Sequence, residues 1–208
     1  SLAATQTPRP DFALLLGDLH ADPLAAFLPQ SPLPLHVVFG NHEAVAARQK
    51  LRPLFPEFGE RDCYAFTHQG CRFLALCTAT ATGDHVGHFE SEFIKPGVGQ
   101  LAWLEDELRT SRALPHRFIY AHIPPEPDNK PSGMHLGSLE SRYFHHLLAR
   151  QKVSACFFGH LHQHRRYEAS GCPVLGVPSC NWNFPGEPAG FYHVRVFADR
   201  VEPVFVPL

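Results

Sequence analysis

The chain has 208 residues, of which 44% are apolar and 18% are charged, and its formal net charge is −2 at pH 7. A chain of this size and content can bury one substantial core, so we predict a single domain over residues 1–208. The lysines and arginines form no basic stripe and the apolar runs are short, which argues against a nucleic-acid-binding patch and a membrane segment.

Apolar runs with strand character alternate with helical patterns along the chain. The predicted strands are 12–16, 35–39, 63–67, 71–77, 117–121, 153–158, 173–177, 191–197 and 201–206. The predicted helices are 42–51 with Asn41 as N-cap, 99–111 with Leu101, Leu104 and Leu108 on one face, and 138–150 with Ser138 as cap and Leu139, Tyr143, Leu147 and Leu148 as the buried stripe. This alternation, followed by hairpins, predicts an α/β fold with mixed sheets.

The six cysteines contain no C-x-x-C pair, which argues against a zinc ribbon or a thioredoxin-like site. Cys77 and Cys156 lie inside apolar runs, and we expect them to be small core residues. The pattern favours a reduced, cytoplasmic protein.

Polar side chains that can bind metals follow four of the predicted strands. They are Asp18 in LLLGD, Asn41 and His42 in VVFGNHE, His122 in FIYAHIPP, and His160 and His162 in FFGHLHQH. Each motif alone also has a simpler explanation as a turn, a helix cap or a surface histidine. Ligands in α/β folds gather at the carboxyl ends of strands, so we expect the motifs to converge. Oxygen and nitrogen donors of this kind suit manganese, iron or zinc.

The order Gly-Asp, Gly-Asn-His-Glu, His followed by prolines, and Gly-His-x-His resembles the calcineurin-like metallophosphoesterase superfamily. The resemblance runs from about residue 10 to residue 183 and includes PDFALLLGD, LAWLEDEL and SACFFGHLH. It implies a double β-sheet sandwich flanked by helices, with two divalent metal ions above the strand ends. It also implies an enzyme, a phosphatase or phosphodiesterase that hydrolyses a small phosphomonoester or phosphodiester by attack of a metal-bound hydroxide.

Carried over position by position, the resemblance implies a role for each motif residue. Asp18 would bridge both metal ions. Asn41, His122 and His160 would complete one metal site, and His162 would belong to the other. His42 would be the catalytic residue beside the phosphate, and Asn41 and His42 together would bind the substrate.

The family's first motif, Asp-x-His at the end of the first strand, is not found before the Gly-Asp motif in this chain. In the N-terminal region the pattern occurs as Asp18-Leu19-His20, so GDLH could be the first motif or the second. Asn41 follows Asp18 by 23 positions, which is room for one strand–helix–strand crossover but hardly two. This spacing favours the second motif. We therefore expect His20 to be a surface histidine and the domain to be N-terminally incomplete, without the first strand.

Two further features bear on the substrate site. Arg48 follows the Gly-Asn-His-Glu motif on a helical face where we expect it to be solvated. The segments 78–98 and 123–137 are rich in Gly, Pro and polar residues, which is typical of loops that determine substrate choice. Three histidines in these loops are candidates for lining the cleft, although an ordinary loop position is favoured for each: His85, His88 and His135.

Two alternatives to a dinuclear enzyme are open at this level. Without the first motif, the fold could serve as a scaffold or binding protein with a degraded metal site. A mononuclear hydrolase that uses Asp18, Asn41, His122 and His160 is the other alternative. The sequence identifies neither the substrate, nor the metal, nor the oligomeric state.

Overall fold

A six-stranded mixed sheet forms the centre of the protein, for which a computed structural model describes residues 2–89, 99–127 and 133–208. The strands are β1 (Ala13–Leu15), β2 (Leu35–Val37), β3 (Tyr64–His68), β4 (Cys71–Ala75), β5 (Arg117–Ala121), β6 (Ala155–Phe158), β7 (Arg165–Ala169), β8 (Cys172–Gly176), β9 (Gly190–Val196) and β10 (Val201–Pro207). The α-helices are α1 (Ala21–Phe27), α2 (Val45–Leu51), α3 (Gln100–Thr110) and α4 (Ser138–Arg150).

The strand order of the large sheet is β3-β4-β5-β6-β8-β7. Its four inner strands are mutually parallel, and β3 and β7 are antiparallel edge strands. A parallel pair, β1 and β2, and an antiparallel hairpin, β9 and β10, form two smaller sheets. The carboxyl ends of the parallel strands lie on the same side of each sheet, which is where ligands bind in α/β folds.

The large sheet separates two hydrophobic clusters, because successive side chains of a strand point to opposite faces. On one face, Leu74, Ile119 and Cys156 pack with buried residues of α3 and α4. On the other, Ala75, Tyr120 and Phe157 pack with residues of β1, β2, β9, β10, α1 and α2. Helices α3 and α4 therefore cover one face of the large sheet, and the two smaller sheets with α1 and α2 cover the other. This arrangement confirms the predicted mixed α/β fold class, while the extent of the domain stays a prediction.

All of the predicted helices and strands are present, with boundaries that differ by no more than three residues. Within the described ranges, one strand and one α-helix were missed, besides four short 3-10 helices. Strand β7 has mostly exposed side chains at the edge of the sheet, so its sequence, RRYEA, shows no apolar run. Helix α1 has only seven residues and contains Pro23 in its first turn, which weakens the helical pattern.

Several side chains differ from their predicted positions. Asn41 is not an N-cap, because α2 begins at Val45 after Ala44. Likewise Gly137, not Ser138, is the N-cap of α4. In the same helix Leu139 is 75% exposed, because the buried face runs through Ser141, Phe144, Leu147 and Leu148. Tyr143 is only partly buried for the same reason.

Cys77 and Cys156 are buried core residues, as predicted. Within the described ranges, no helix combines the length and the apolar character needed to cross a membrane. The cytoplasmic location stays a prediction.

Candidate metal centre

Four of the predicted residues meet in one cluster just beyond the carboxyl ends of β1, β2, β5 and β6. Oδ1 of Asp18 lies 3.3 Å from Nε2 of His122, and Oδ1 of Asn41 lies 3.1 Å from the same nitrogen. Nδ1 of His160 lies 3.2 Å from it as well. The convergence predicted from the four motifs is therefore present for these side chains.

Backbone carbonyl groups determine which imidazole nitrogens face the cluster. Nδ1 of His122 lies 2.6 Å from the carbonyl oxygen of Leu16, and Nε2 of His160 lies 3.1 Å from that of His85. A carbonyl oxygen only accepts, so each of these nitrogens carries the proton of the neutral ring and the other nitrogen presents a lone pair. The amide of Asn41 is oriented by its donor group, which bonds the carbonyl oxygen of Gly83 at 3.4 Å. The cluster thus gathers four electron-pair donors, an arrangement that a cation would stabilise.

The spacing of these donors also fits a cation. Ligand atoms roughly 2.0–2.2 Å from a divalent ion and at right angles to one another lie about 3 Å apart. The three distances of 3.1–3.3 Å are close to this value, but all of them are measured to Nε2 of His122. Among the described residues, no trio of His, Cys, Asp or Glu side chains is arranged to hold a metal ion by itself.

The electrostatics of the cluster favour the protonation states that bind metals. Burial lowers the pKa of His160 to about 3, and the neighbouring His122 acts in the same direction. Burial alone would raise the pKa of Asp18, but the neighbouring His122 and the backbone N–H of His42 lower it to about 2. Near pH 7 the cluster therefore presents a carboxylate and a neutral imidazole, which are the ligating forms.

The backbone is left-handed at three of the predicted ligands. The φ angle is +56° at Asp18, +64° at His160 and +51° at His162. The other described non-glycine residues of this kind, Gln69 and Ser170, lie in the tight β3–β4 and β7–β8 turns. A left-handed residue with a Cβ costs roughly 1–2 kcal/mol, and such residues are frequent at functional sites. The backbone strain is therefore found at three residues that the sequence motifs identify as candidate ligands.

Two motif glycines allow the loops of the cluster to approach each other. A Cβ on Gly40 would lie 2.2 Å from Oδ1 of Asp18. A Cβ on Gly17, whose φ is +92°, would lie 2.5 Å from Nδ1 of His122 and 2.7 Å from the backbone nitrogen of Gly40. Any side chain at either position would push ligands apart, which explains why glycine precedes Asp18 and Asn41.

Glu43 is a buried carboxylate whose role was not predicted. It accepts hydrogen bonds from the backbone N–H of Gly40 at 2.7 Å and from that of Leu19. Burial raises its pKa, although both hydrogen bonds act in the opposite direction. Glu43 thereby connects the loop after β1 to the loop after β2, and so positions Asp18 relative to Asn41.

The prediction that Arg48 is solvated is wrong. Its guanidinium is buried and donates to the carbonyl oxygens of Gly40 at 3.1 Å, Glu43 at 2.9 Å and Ala79 at 2.9 Å. It also pairs with Asp62 at 3.0 Å. Gly40 and Glu43 precede the helix by only a few residues, but Asp62 and Ala79 come from farther along the chain, so the helical pattern gave no signal that Arg48 would be buried.

The family is decided by a match to the whole N-terminal three-quarters of the chain. A family model described as calcineurin-like phosphoesterase matches residues 3–164. The chain belongs to the calcineurin-like phosphoesterase family. The family generally uses divalent metals and acts on phosphoesters. Among curated protein sequences, no significant match to this calcineurin-like phosphoesterase was found.

Solved structures share the fold of this phosphoesterase at low sequence identity. A dimetal phosphatase from Danio rerio has a TM-score of 0.67 and 17% identity, over 97% of this chain and 85% of that one. A protein described as a 5′-nucleotidase from Staphylococcus aureus, in complex with alpha-ketoglutarate, has a TM-score of 0.59 and 15% identity, over 94% and 45%. GAP50, described as the anchor in the inner membrane complex of Plasmodium, has a TM-score of 0.59 and 14% identity, over 84% and 62%. This chain thus spans less than two thirds of the last two.

The other predicted residues of the phosphoesterase lie around the cluster. Nδ1 of His162 lies 2.5 Å from the carbonyl oxygen of Trp182, so this described hydrogen bond runs to a neighbouring loop and not to the four donors. The backbone N–H of His42 donates to Oδ1 of Asp18 at 3.2 Å, and its side chain is exposed. His20 is exposed just before α1, as predicted for a surface histidine.

The loop histidines divide into one at the site and two elsewhere. The ring of His85 lies 5.6 Å from that of His160 and 6.3 Å from that of His42, so it borders the cluster more closely than predicted. His88 instead pairs with Glu140 at 2.9 Å, and His135 is buried. Parts of the predicted substrate loops, 90–98 and 128–132, lie outside the described residues.

Proposed function

We propose that this protein is a metal-dependent hydrolase of small phosphomonoesters or phosphodiesters. The observation that supports this most is the convergence of Asp18, Asn41 and His160 on Nε2 of His122, with carbonyl groups orienting both rings. When bound, divalent cations such as manganese, iron or zinc would polarise the phosphate and activate water. No covalent protein nucleophile is then needed.

We assign the ligands of two ions to the motif residues. Asp18, Asn41, His122 and His160 would hold one ion. His162 would contribute to the second, because its Nδ1 is occupied by the Trp182 carbonyl and Nε2 then presents the lone pair. Asp18 would bridge the two sites, since a carboxylate has two oxygens that can each bind a cation.

His42 is the proposed catalytic residue. The hydrogen bond from its backbone to Asp18 keeps it beside the cluster, while its exposed side chain is accessible to a substrate. An imidazole there can donate a proton to the leaving oxygen of the ester and stabilise charge on the phosphate. The neighbouring Asn41 would help to orient the phosphate.

Metal analysis and hydrolysis assays test the proposal. The protein is dialysed against Mn²⁺, Fe²⁺ or Zn²⁺ and its metal content is measured, and p-nitrophenyl phosphate and bis(p-nitrophenyl) phosphate are the substrates. We expect Asp18→Asn and His122→Ala to lose bound metal and activity. We expect His42→Ala to keep the metal but lose at least about a hundredfold in kcat, the usual contribution of an acid–base group. His20→Ala, an exposed histidine nearby, is the matched control and should match the unmodified protein.

A mononuclear hydrolase is the second candidate, because four of the five proposed ligands already form one cluster. Asp18, Asn41 and His160 each lie within 3.3 Å of Nε2 of His122. One metal per chain with full activity, and no effect of His162→Ala on metal content, would support this candidate over the dinuclear one. A protein with neither metal nor activity would instead act as a scaffold, as GAP50 is described to do as an anchor.

A further inference from the structure

Trp182 and Phe184 form an exposed aromatic pair beside the proposed metal centre. Their side chains are 55% and 42% exposed, and their ring centroids lie 5.1 Å apart. The ring of His162 lies 5.0 Å from that of Trp182 and 6.5 Å from that of Phe184. Single exposed apolar residues are common, but these two rings contact each other edge to face, with an interplanar angle of 63°, and both lie against the ring of a proposed ligand.

The turn that carries Trp182 is held by its own hydrogen bonds. The backbone N–H of Ser179 donates to Oδ1 of Asn183 at 2.7 Å, and Nδ2 of Asn183 donates to the carbonyl oxygen of Ser179 at 2.7 Å. Oγ of Ser179 accepts from the N–H groups of Asn181 and Trp182 at 3.0 and 3.3 Å. The Trp182 backbone is therefore positioned by hydrogen bonds of its own turn, and 55% of the residue remains exposed beside His162 and Phe184.

The same loop is tied to the segment that contains the proposed ligands. The carbonyl oxygen of Trp182 accepts from His162. The carboxylate of Glu187 accepts from the N–H of His164 at 3.0 Å, and the N–H of Glu187 donates to the carbonyl oxygen of Phe184 at 3.0 Å. The loop that carries both aromatic residues is therefore held against the segment of His162 and His164.

We propose that Trp182 and Phe184 are a stacking surface for a planar aromatic group carried by the phosphoester substrate. This inference rests on the proposed function, because the phosphate must bind at the cluster for its organic group to reach the rings. Flat rings stack on aromatic side chains with little dependence on their substituents. The shared chemistry is therefore a planar ring, and a nucleobase and a simple aryl group are its two sources.

Binding of phosphonates tests the stacking surface, because their C–P bond resists hydrolysis. Manganese-loaded protein is titrated with phenylphosphonate, with a phosphonate that carries adenine, and with ethylphosphonate, which has no ring. The chain has two tryptophans, so a Trp103→Phe background leaves Trp182 as the fluorescent reporter. We expect quenching of Trp182 and roughly tenfold tighter binding for a ring-bearing ligand than for ethylphosphonate. Preference for the adenine or the phenyl compound distinguishes a nucleobase from an aryl substrate.

Variants separate stacking from a general effect on the site. Trp182→Ala and Phe184→Ala, followed by calorimetry, should reduce the affinity for ring-bearing phosphonates to that for ethylphosphonate. Trp182→Phe should retain part of the difference. Leu139→Ala removes a comparably exposed apolar side chain from α4 and should change nothing.

The outcomes distinguish this inference from the proposed function. If ethylphosphonate binds and the ring adds no affinity, the stacking surface is wrong and the phosphoesterase proposal stands. If the manganese-loaded protein binds no phosphonate and hydrolyses no ester, both are wrong.

Discussion

Arg48 and Asp62 form an ion pair of 3.0 Å in which their side chains are only 6% and 7% exposed. The second oxygen of Asp62 pairs with Arg52. Through Arg48 the pair is also connected to the backbone of Gly40, which stands next to Asn41. The loop that carries Asn41 and His42 is thus stabilised by the Arg48–Asp62 ion pair, which is not part of the cluster.

Replacement of Arg48 by leucine should destabilise the whole protein. It leaves Asp62 buried with Arg52 as its remaining partner and removes three hydrogen bonds to carbonyl oxygens. We expect the free energy of unfolding to fall by about 3 kcal/mol, measured by urea denaturation. Arg109→Leu breaks the exposed pair with Asp106 and is the control, with an expected change below about 1 kcal/mol. Equal effects of the two substitutions would contradict the structural role of Arg48.

Gly17→Ala should lower the free energy of unfolding more than the same substitution at a glycine that also has a positive φ but has no neighbouring atoms near the added Cβ. Gly171 has a φ of +80° and no atom within 4 Å of an added Cβ, so Gly171→Ala measures the backbone cost alone, about 1 kcal/mol. Gly17→Ala adds the contact with His122 and Gly40, which we expect to cost about 2 kcal/mol more. Denaturation measures the stability difference. Isothermal titration with Mn²⁺ should show that Gly17→Ala alone loses metal binding.

The stability of the metal-free protein should fall as the pH is lowered below 6.5, because His160 is held neutral. Its pKa is lowered from 6.5 in the unfolded chain to about 3 in the fold. The unfolded chain therefore takes up a proton first, and stability is lost from pH 6.5 down towards pH 3, with a slope of up to about 1.4 kcal/mol per pH unit. Asp18, with its pKa lowered to about 2, adds a loss of the same sign only below pH 3.8.

Urea denaturation in EDTA at pH 7.0, 5.5 and 4.5 checks this pH dependence. His160→Asn removes the titrating group, so its stability should fall less than that of the unmodified protein over the same range. His20→Ala is the control and should show the unmodified slope. Parallel curves for His160→Asn and the unmodified protein would refute the assignment of the pH dependence to His160.

Glu43→Gln should weaken the connection between the two ligand loops while keeping the size of the side chain. One of the two carboxylate oxygens becomes an N–H₂ group that faces a backbone N–H, of either Leu19 or Gly40. We expect a loss of about 2 kcal/mol in unfolding free energy, typical of a buried donor left without an acceptor. Glu168→Gln, at an exposed position of β7, is the matched control and should be neutral in the same denaturation assay.

The elements that could be predicted are those whose burial leaves a pattern in the local sequence. Strand β5 is buried at all five positions and appears as an uninterrupted run, whereas the exposed edge strand β7 leaves none. The N-cap predicted at Asn41 was wrong for a related reason. Its amide has cap chemistry, but in the fold it bonds Gly83 and faces His122.

In the site, too, residues that belong to a short sequence motif could be predicted, whereas residues defined by contacts with other segments could not. The glycines and donors lie in short motifs after strands, so their convergence could be predicted. Arg48 and Glu43 could not be assigned, because each also bonds to a segment that is separate in sequence: Glu43 to Leu19, and Arg48 to Asp62 and Ala79. The roles of the ligands and of His42 stay predictions until metal and activity are measured.

The left-handed backbone at Asp18, His160 and His162 lowers the stability of the fold, while their side chains are the ones proposed to bind metal. Glycine at these positions would relax the chain, since it adopts positive φ without a penalty, and would remove the proposed ligands at the same time. A chain selected for the shape alone would therefore have gained stability by giving up these three side chains. Under the proposed function, the fold gives up stability at these positions in exchange for side chains that can bind a metal ion.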